Sequence, residues 1–271
     1  MDEIDAKVIS DRVSPTGSRL ISVEARFHRF ILPEVNTYKM ISKNSASSRA
    51  VSTQKRINEV QENPAIPVHW GKNQVGMVAS EELSGVEINT AKEIWLLASR
   101  NAADEAQKLV DLGVHKQIAS RILEPFLYHT SLLTSTDFTN MFNQRIHPDA
   151  QPEFRALAIK IKEAIDASEP IPIDYGEWTL PYIREEEEYI DVELLKKISV
   201  ARVARTSYGN QGKAEIEKDL ELYDRLYSAE PPHYAPMEAI ATPLKPGEKK
   251  LGNFKGYRQL RHIVEESKAK N

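Results

Sequence analysis

Two runs of alternating apolar and polar residues, Ile4 to Val13 and Arg19 to Phe27, flank Ser14-Pro15-Thr16-Gly17. No other stretch constrains the fold as much. Side chains alternate across a strand with a period of two, and Pro and Gly between two such runs set a tight reversal, so the segment reads as a long β-hairpin. Its apolar face needs a cover, which the helical patterns further along supply.

Pro33 reads as the end of the second strand, with Glu34 to Met40 a short helix. Overlapping it, Asn36 to Arg49, NTYKMISKNSASSR, crowds hydroxyl and amide side chains together with Lys39, Lys43 and Arg49. Backbone N–H groups and cations can converge there on an anion such as phosphate. The same run also reads as an N-capped loop before the helix Ser52 to Glu62, which Asn63-Pro64 stops. Ala65 to Ser84, containing His69, Trp70 and Asn73, is a long irregular loop, read as a packed Ω-loop in preference to a lid.

Asn89-Thr90 reads as the cap of a long helix to Leu112, with Gly113 as its stop. A second helix spans His115 to Leu123. A third, capped by Thr136-Asp137, carries Phe138, Met141 and Phe142 inward and ends at Ile146-His147-Pro148. A fourth runs from Pro152 through the amphipathic Glu153 to Ala167. Together they read as a helical bundle.

Beyond it, Pro170, Pro172 and Pro181 cut the chain into short pieces, with Trp178 in an extended one. Glu185 to Glu188 reads as a solvated acidic run without function. Val192 to Arg205 and Ala214 to Tyr227 are helices, PHYAPMEAIATP is extended, and Asn253 to Glu266 closes as a helix. The expected fold is α+β, a central helical bundle packed on a small antiparallel sheet built from the N-terminal hairpin and C-terminal strands. It is read as one domain, 1–271, made of 1–167, a connector 168–191, and 192–271.

Composition narrows the chemistry. With 0 cysteines, disulfides, thiolate metal sites and a cysteine nucleophile are excluded. A net charge of −4 gives no global field toward nucleic acid, so any phosphate must be held by a local cluster. A 271-residue chain with 41% hydrophobic and 28% charged residues is ordinary for a globular protein. No apolar run is long enough to span a bilayer, and the acidic opening MDEIDAKVIS lacks a signal pattern, so a cytoplasmic protein without membrane or nucleic-acid partners is expected.

Four arginines stand beside amides, hydroxyls or acids at element ends: Arg49, Arg121, Arg145 and Arg205. Each alone also reads as a surface ion pair or a helix-dipole partner. The segments that carry them resemble the flavin-dependent thymidylate synthases. Thr37-Tyr38-Lys39 followed by Ser42, Asn44 and Ser47-Ser48-Arg49 is similar to that family's arginine–histidine–arginine hallmark. Ser120 to Pro125 resembles its ARxxLP element, and Asn140 to Glu153 resembles its NFxxLRxDxHAQxE segment. Ala204 to Tyr208 and His233 to Glu238 look like its ARxSY and HxxPxEH elements, which precede the hallmark in the family and follow the bundle here, as in a circularly permuted member. The chain departs from the pattern at the triplet, at Glu34 where glutamine is usual, and at Asp149 where histidine is usual.

The resemblance implies reductive methylation of dUMP, with methylenetetrahydrofolate as carbon donor, FAD as carrier and NADPH as reductant, in a homotetramer. It places Ser47, Ser48, Arg49, Arg121 and Glu34 at the nucleotide, and Arg145 against the pyrimidine as the catalytic cation. Lys39, Tyr38, Asn140, Arg205, Ser207, His233 and Glu238 are the implied FAD contacts. A pyrimidine nucleotide hydroxymethylase, a dCMP methylase, and a nucleotide-binding protein that has lost the flavin remain open.

Overall fold

The computed structural model describes residues 4–47, 49–209 and 215–269. The hairpin is present: β1 (Asp5–Val13) and β2 (Arg19–His28) pair antiparallel from Asp5 opposite Arg26 to Val13 opposite Arg19. Its turn is closed by the Ser14 hydroxyl, which accepts from the Ser18 amide at 3.1 Å. The second strand ends at His28, five residues before Pro33. A 3-10 turn follows, and then α1 (Leu32–Val35), which carries Pro33 in its first turn. Proline has no N–H to donate, and the first turn of a helix asks for none, so it starts a helix here. The short helix expected over Glu34 to Met40 therefore stops at Val35.

The polar run contains β3 (Ser42–Ser45), and α2 (Thr53–Glu62) is capped by the Ser52 hydroxyl. α3 (Val86–Asp111) begins three residues before Asn89; Thr90 is already helical and donates its hydroxyl to the Val86 carbonyl. α4 (Lys116–Ala119) gives way to a 3-10 segment, Ser120–Phe126, so the helix expected to Leu123 is only partly α. Next comes β4 (Tyr128–Ser135), a strand inside the block expected to be all helical. Nearly every residue of YHTSLLTS is buried, polar ones included, so no in–out alternation exists to reveal it.

The remaining elements are α5 (Thr139–Arg145), α6 (Pro152–Asp166), β5 (Ile171–Pro172), α7 (Val192–Arg205), α8 (Ile216–Tyr227), β6 (Ala241–Pro243), β7 (Tyr257–Gln259) and α9 (Leu260–Ala269). Residues 253–259, expected to be helical, instead lead into and form β7. The main sheet runs β3-β4-β2-β1-β5, antiparallel except for β5, which lies parallel to β1. β6 and β7 form a separate ribbon and do not join it, so the main sheet is built without the C-terminal strands.

Consecutive leucines show how the sheet is sandwiched. Leu133 faces a core made with Phe154, Leu157 and Ile161 of α6, while Leu132 faces one made with Val200 and Val203 of α7, Ile240, and Leu260 of α9. Each such fully buried side chain contributes about 1.5–3 kcal/mol.

The acidic run is not wholly solvated. Glu187 is buried against Arg202, which is 0% exposed and also binds Asp219 at 2.8 Å; Asp219 in turn holds Arg205 at 2.8 Å. The Arg202 hydrogen bond holds the Glu187 carboxyl below the usual carboxylate range. A charge buried this deeply persists only because each member is paired. Among the described residues, no helix is long and apolar enough to cross a membrane.

Candidate active site

β3 is an edge strand. On one side it pairs with β4, from Ser42 opposite Thr134 to Ser45 opposite Ser131. On its other flank lie segments from the far end of the chain. The Ser47 amide donates to the Ser207 carbonyl at 3.1 Å, and the Ser207 hydroxyl donates to the Ser45 carbonyl at 3.4 Å. The Gln259 amide donates to the Ser42 hydroxyl at 3.3 Å and to the Glu238 carbonyl at 2.9 Å, and Asn253 reaches Ser42 and the Lys39 carbonyl. Elements some 160 residues or more apart thus meet along one strand.

One donor at this seam is not satisfied. The Asn44 side-chain nitrogen, in a residue 7% exposed, is buried with no hydrogen-bond partner. Lys43 gives its ammonium to the carbonyls of Tyr38 at 2.6 Å and Ile41 at 2.8 Å. Burial, aided by the charge of Lys39, lowers its pKa to about 8 against the opposing pull of Glu238.

A cleft of about 1120 Å³ opens between the 65–84 loop, α1 and the N-terminal end of α6. Phe30, Glu34, Trp95, Arg145 and Glu153 are in its walls. The loop is tied to itself, by Lys72 N–H to Glu81 at 2.7 Å and Leu83 N–H to Trp70 at 2.8 Å, and to α6, by Val68 N–H to Glu153 at 2.9 Å. Trp70 meets Trp95 edge to face.

Arg145, at the end of α5, is fixed from two directions. Its Nε donates to the Tyr38 hydroxyl at 2.7 Å, and its guanidinium lies 4.7 Å from the centre of the Phe154 ring. The Tyr38 hydroxyl in turn donates a hydrogen bond to the Gln144 side-chain oxygen at 2.9 Å. Only Nε is engaged in a hydrogen bond among the described residues, so the terminal nitrogens remain available at the cleft. Glu34 shares that cleft and has one buried carboxylate oxygen without a partner.

The structure therefore brings Glu34, Tyr38 and Arg145 together, and separately Ser47 and Ser207. Glu238 lies at the same seam, ion-paired with Arg261. Arg205 is held by Asp219, and Lys39 is exposed, donating to the Asn36 carbonyl. Arg121 is exposed and paired with Glu124. Arg49, Asn140 and His233 are exposed. Among the described residues, the side chains of Arg49, Arg121, Asn140 and His233 make no hydrogen bond or ion pair with either group. Ser48 lies outside the described residues. Asn253 and Gln259 were missed by sequence reasoning because Asn253 to Glu266 was read as helix. The alternation of Tyr257-Arg258-Gln259 after Gly256 is the signal that marks a strand there.

With the geometry in view, the class is defined by sequence as well as by fold. The profile of the family described as thymidylate synthase complementing protein matches residues 14–171, more than half of the chain, and the chain belongs to that family. Among solved structures, it is similar to the UMP/dUMP methylase PolB from Streptomyces cacaoi bound with 5-Br dUMP. That match has 14% identity and a TM-score of 0.50 and covers 61% of this chain and 90% of that one. The same protein bound with 5-Br UMP matches at 15% identity and a TM-score of 0.50, over 61% and 89%. The flavin dependent thymidylate synthase ThyX from Helicobacter pylori, complexed with FAD and dUMP, matches at 18% identity and a TM-score of 0.37, over 54% and 67%. No curated protein matches the chain in sequence.

Proposed function

We propose that the protein is a flavin-dependent, thymidylate synthase-like enzyme of the cytoplasm that methylates C5 of a pyrimidine nucleoside monophosphate. In the reference reaction, dUMP, methylenetetrahydrofolate and NADPH with a proton give dTMP, tetrahydrofolate and NADP+. The observation that carries this reading is Arg145, a cation held rigidly by Tyr38 and Phe154 with its terminal nitrogens at the wall of an aromatic cleft. A positive charge fixed beside a pyrimidine stabilises the negative charge that develops on its ring oxygen as C5 becomes nucleophilic. Preorganised groups of this kind are worth roughly 3–4 kcal/mol.

Ser47, Ser48, Arg49 and Arg121 hold the nucleotide phosphate in this reading, since guanidinium forks and backbone amides suit a dianion. The seam on β3 fits FAD in one respect: the unpartnered Asn44 amide and the crowded Lys39 and Lys43 call for a polar, anionic ligand. Lys39, Asn140, Ser207, His233 and Glu238 would hold it, and bound FAD would supply the redox carrier. A homotetramer accompanies this reading, supported by the apolar side chains that α3 leaves exposed, Ile94 at 63% and Leu97 at 52%.

Replacing Arg145 by Ala is expected to lower dTMP formation 10²- to 10³-fold while FAD still binds. Unchanged turnover would remove the reading. A second reading, a nucleotide binder without flavin, is favoured by Tyr38 and Arg205, two implied flavin contacts already engaged by Arg145 and Asp219. The visible absorption of the purified protein with added FAD and dUMP separates the two. Bound-flavin bands support the enzyme, and a colourless protein supports the binder. The partnerless oxygen of Glu34 keeps cytosine in play, since a carboxylate accepts from an exocyclic amine; product analysis with dUMP and dCMP side by side decides the base.

A further inference from the structure

The large cleft holds two charged side chains that the fold itself leaves unused. Of the other charged groups in its walls, Glu153 accepts from the Val68 amide at 2.9 Å, Arg155 donates from Nε to the Ile146 carbonyl at 3.2 Å, and Asp149 is exposed to water. Glu34 differs from these. One of its carboxylate oxygens is shielded from water, and neither makes a hydrogen bond or an ion pair among the described residues. Arg145, in the same walls, keeps its terminal nitrogens free.

Both charges are held in place. Tyr38 fixes Arg145 through Nε at 2.7 Å, and Glu34 belongs to the same short segment as Tyr38, tied by backbone hydrogen bonds from Asn36 N–H to the Leu32 carbonyl at 3.0 Å and from Thr37 N–H to the Glu34 carbonyl at 3.1 Å. One piece of backbone therefore sets the position of the anion and of the clamp on the cation. A carboxylate partly withdrawn from water is costly until a donor meets it, and the Arg145 guanidinium does not supply one here. The missing donor belongs to a ligand.

We propose that Glu34 makes the cleft selective for a cytosine nucleotide over a uracil nucleotide, accepting from the exocyclic amine while Arg145 donates to the neighbouring acceptors of the ring. The assignment rests on the reading of this cleft as a pyrimidine site. Cytosine presents an amine donor at one end of its edge and then two acceptors, N3 and O2, the order that a fixed anion beside a fixed cation matches. Uracil puts a carbonyl where cytosine has the amine. Its one donor on that edge, N3–H, lies between two carbonyl oxygens, so a carboxylate that reaches it meets both of them as like charges. A neutral amide has no such preference, since it can present either its oxygen or its NH2.

Calorimetric titration of the full chain with dCMP, dUMP and CMP, with and without added FAD, tests it. The wild type is expected to bind dCMP about 10- to 100-fold more tightly than dUMP, and Glu34→Gln to bring the two within about threefold of each other. Because the Glu34 carboxylate holds no partner in the fold, the melting curve of the variant is expected to match that of the wild type. A lowered melting temperature with both affinities reduced alike would make Glu34 a structural residue and overturn the proposal. So would equal binding of dUMP and dCMP by the wild type, or a ratio that Glu34→Gln leaves unchanged; in either case the pyrimidine site itself stands. A preference for CMP over dCMP that Glu34→Gln abolishes would assign the carboxylate to a sugar hydroxyl and overturn it as well. If no pyrimidine nucleotide binds, the reading of the cleft fails and the proposal falls with it.

Discussion

His129 accepts a hydrogen bond on Nδ1 from Arg29 at 2.9 Å, and since a guanidinium only donates, that nitrogen carries no proton. Protonating it would set an imidazolium against Arg29 in a buried site. Unfolded, the imidazole titrates near 6.5; folded, it titrates at about 3. Between those values the unfolded chain binds the extra proton, so this residue's contribution is intact above pH 6.5 and is lost as the pH falls toward 3. Going from pH 7 to pH 5 should remove about 2 kcal/mol of unfolding free energy through His129 alone. Urea unfolding at both pH values checks this, with His129→Gln expected to lose that part of the difference; an equal pH dependence in both proteins would contradict it. At this scale the sequence was legible in part. The resemblance singled out Arg145 and Tyr38, which do meet, and Ser47 and Ser207, which do touch. It could not show that Asp219 takes Arg205 or that Glu187 is buried, because both depend on partners 14 and 15 residues away across turns that no periodicity fixes.

Among the elements, those with a strong period or a local stop signal were readable: the hairpin, α2, α6 and α7. β4 was not, because a strand covered on both faces and paired on both edges loses its alternation. β7 was not, because its three residues run directly into α9. Its position depends on Gly256, whose φ of +74° is one that side chains rarely adopt, and a Cβ there would lie 2.5 Å from the Ser18 hydroxyl in the hairpin turn. The close approach docks the C-terminal ribbon on the N-terminal hairpin. Gly256→Ala is therefore expected to destabilise the fold by about 1–3 kcal/mol, combining backbone strain and contact. A thermal melt reads the cost, and an unchanged melting temperature would mean that the ribbon does not press on the turn.

For the whole molecule, the expected α+β class holds, with the sheet rather than a bundle at the centre. The exposed apolar side chains of α3 give the proposed assembly a surface that can be tested. Leu97→Glu, at a position outside the cleft, is expected to shift light-scattering mass in size-exclusion chromatography toward the monomer while lowering the unfolding free energy of the protomer by no more than about 1 kcal/mol. A mass identical to that of the wild type would place the contact elsewhere.

The seam on β3 also orders events in time. Residues that form β3 leave the ribosome well before Ser207, Glu238 and Gln259, so for most of synthesis the nascent chain carries a serine-rich strand whose outer flank is bare. Bare strand edges invite pairing with other chains. In this chain the segments that finish the proposed ligand seam also close off that edge, so completing that seam and protecting the newborn protein from its neighbours are one step.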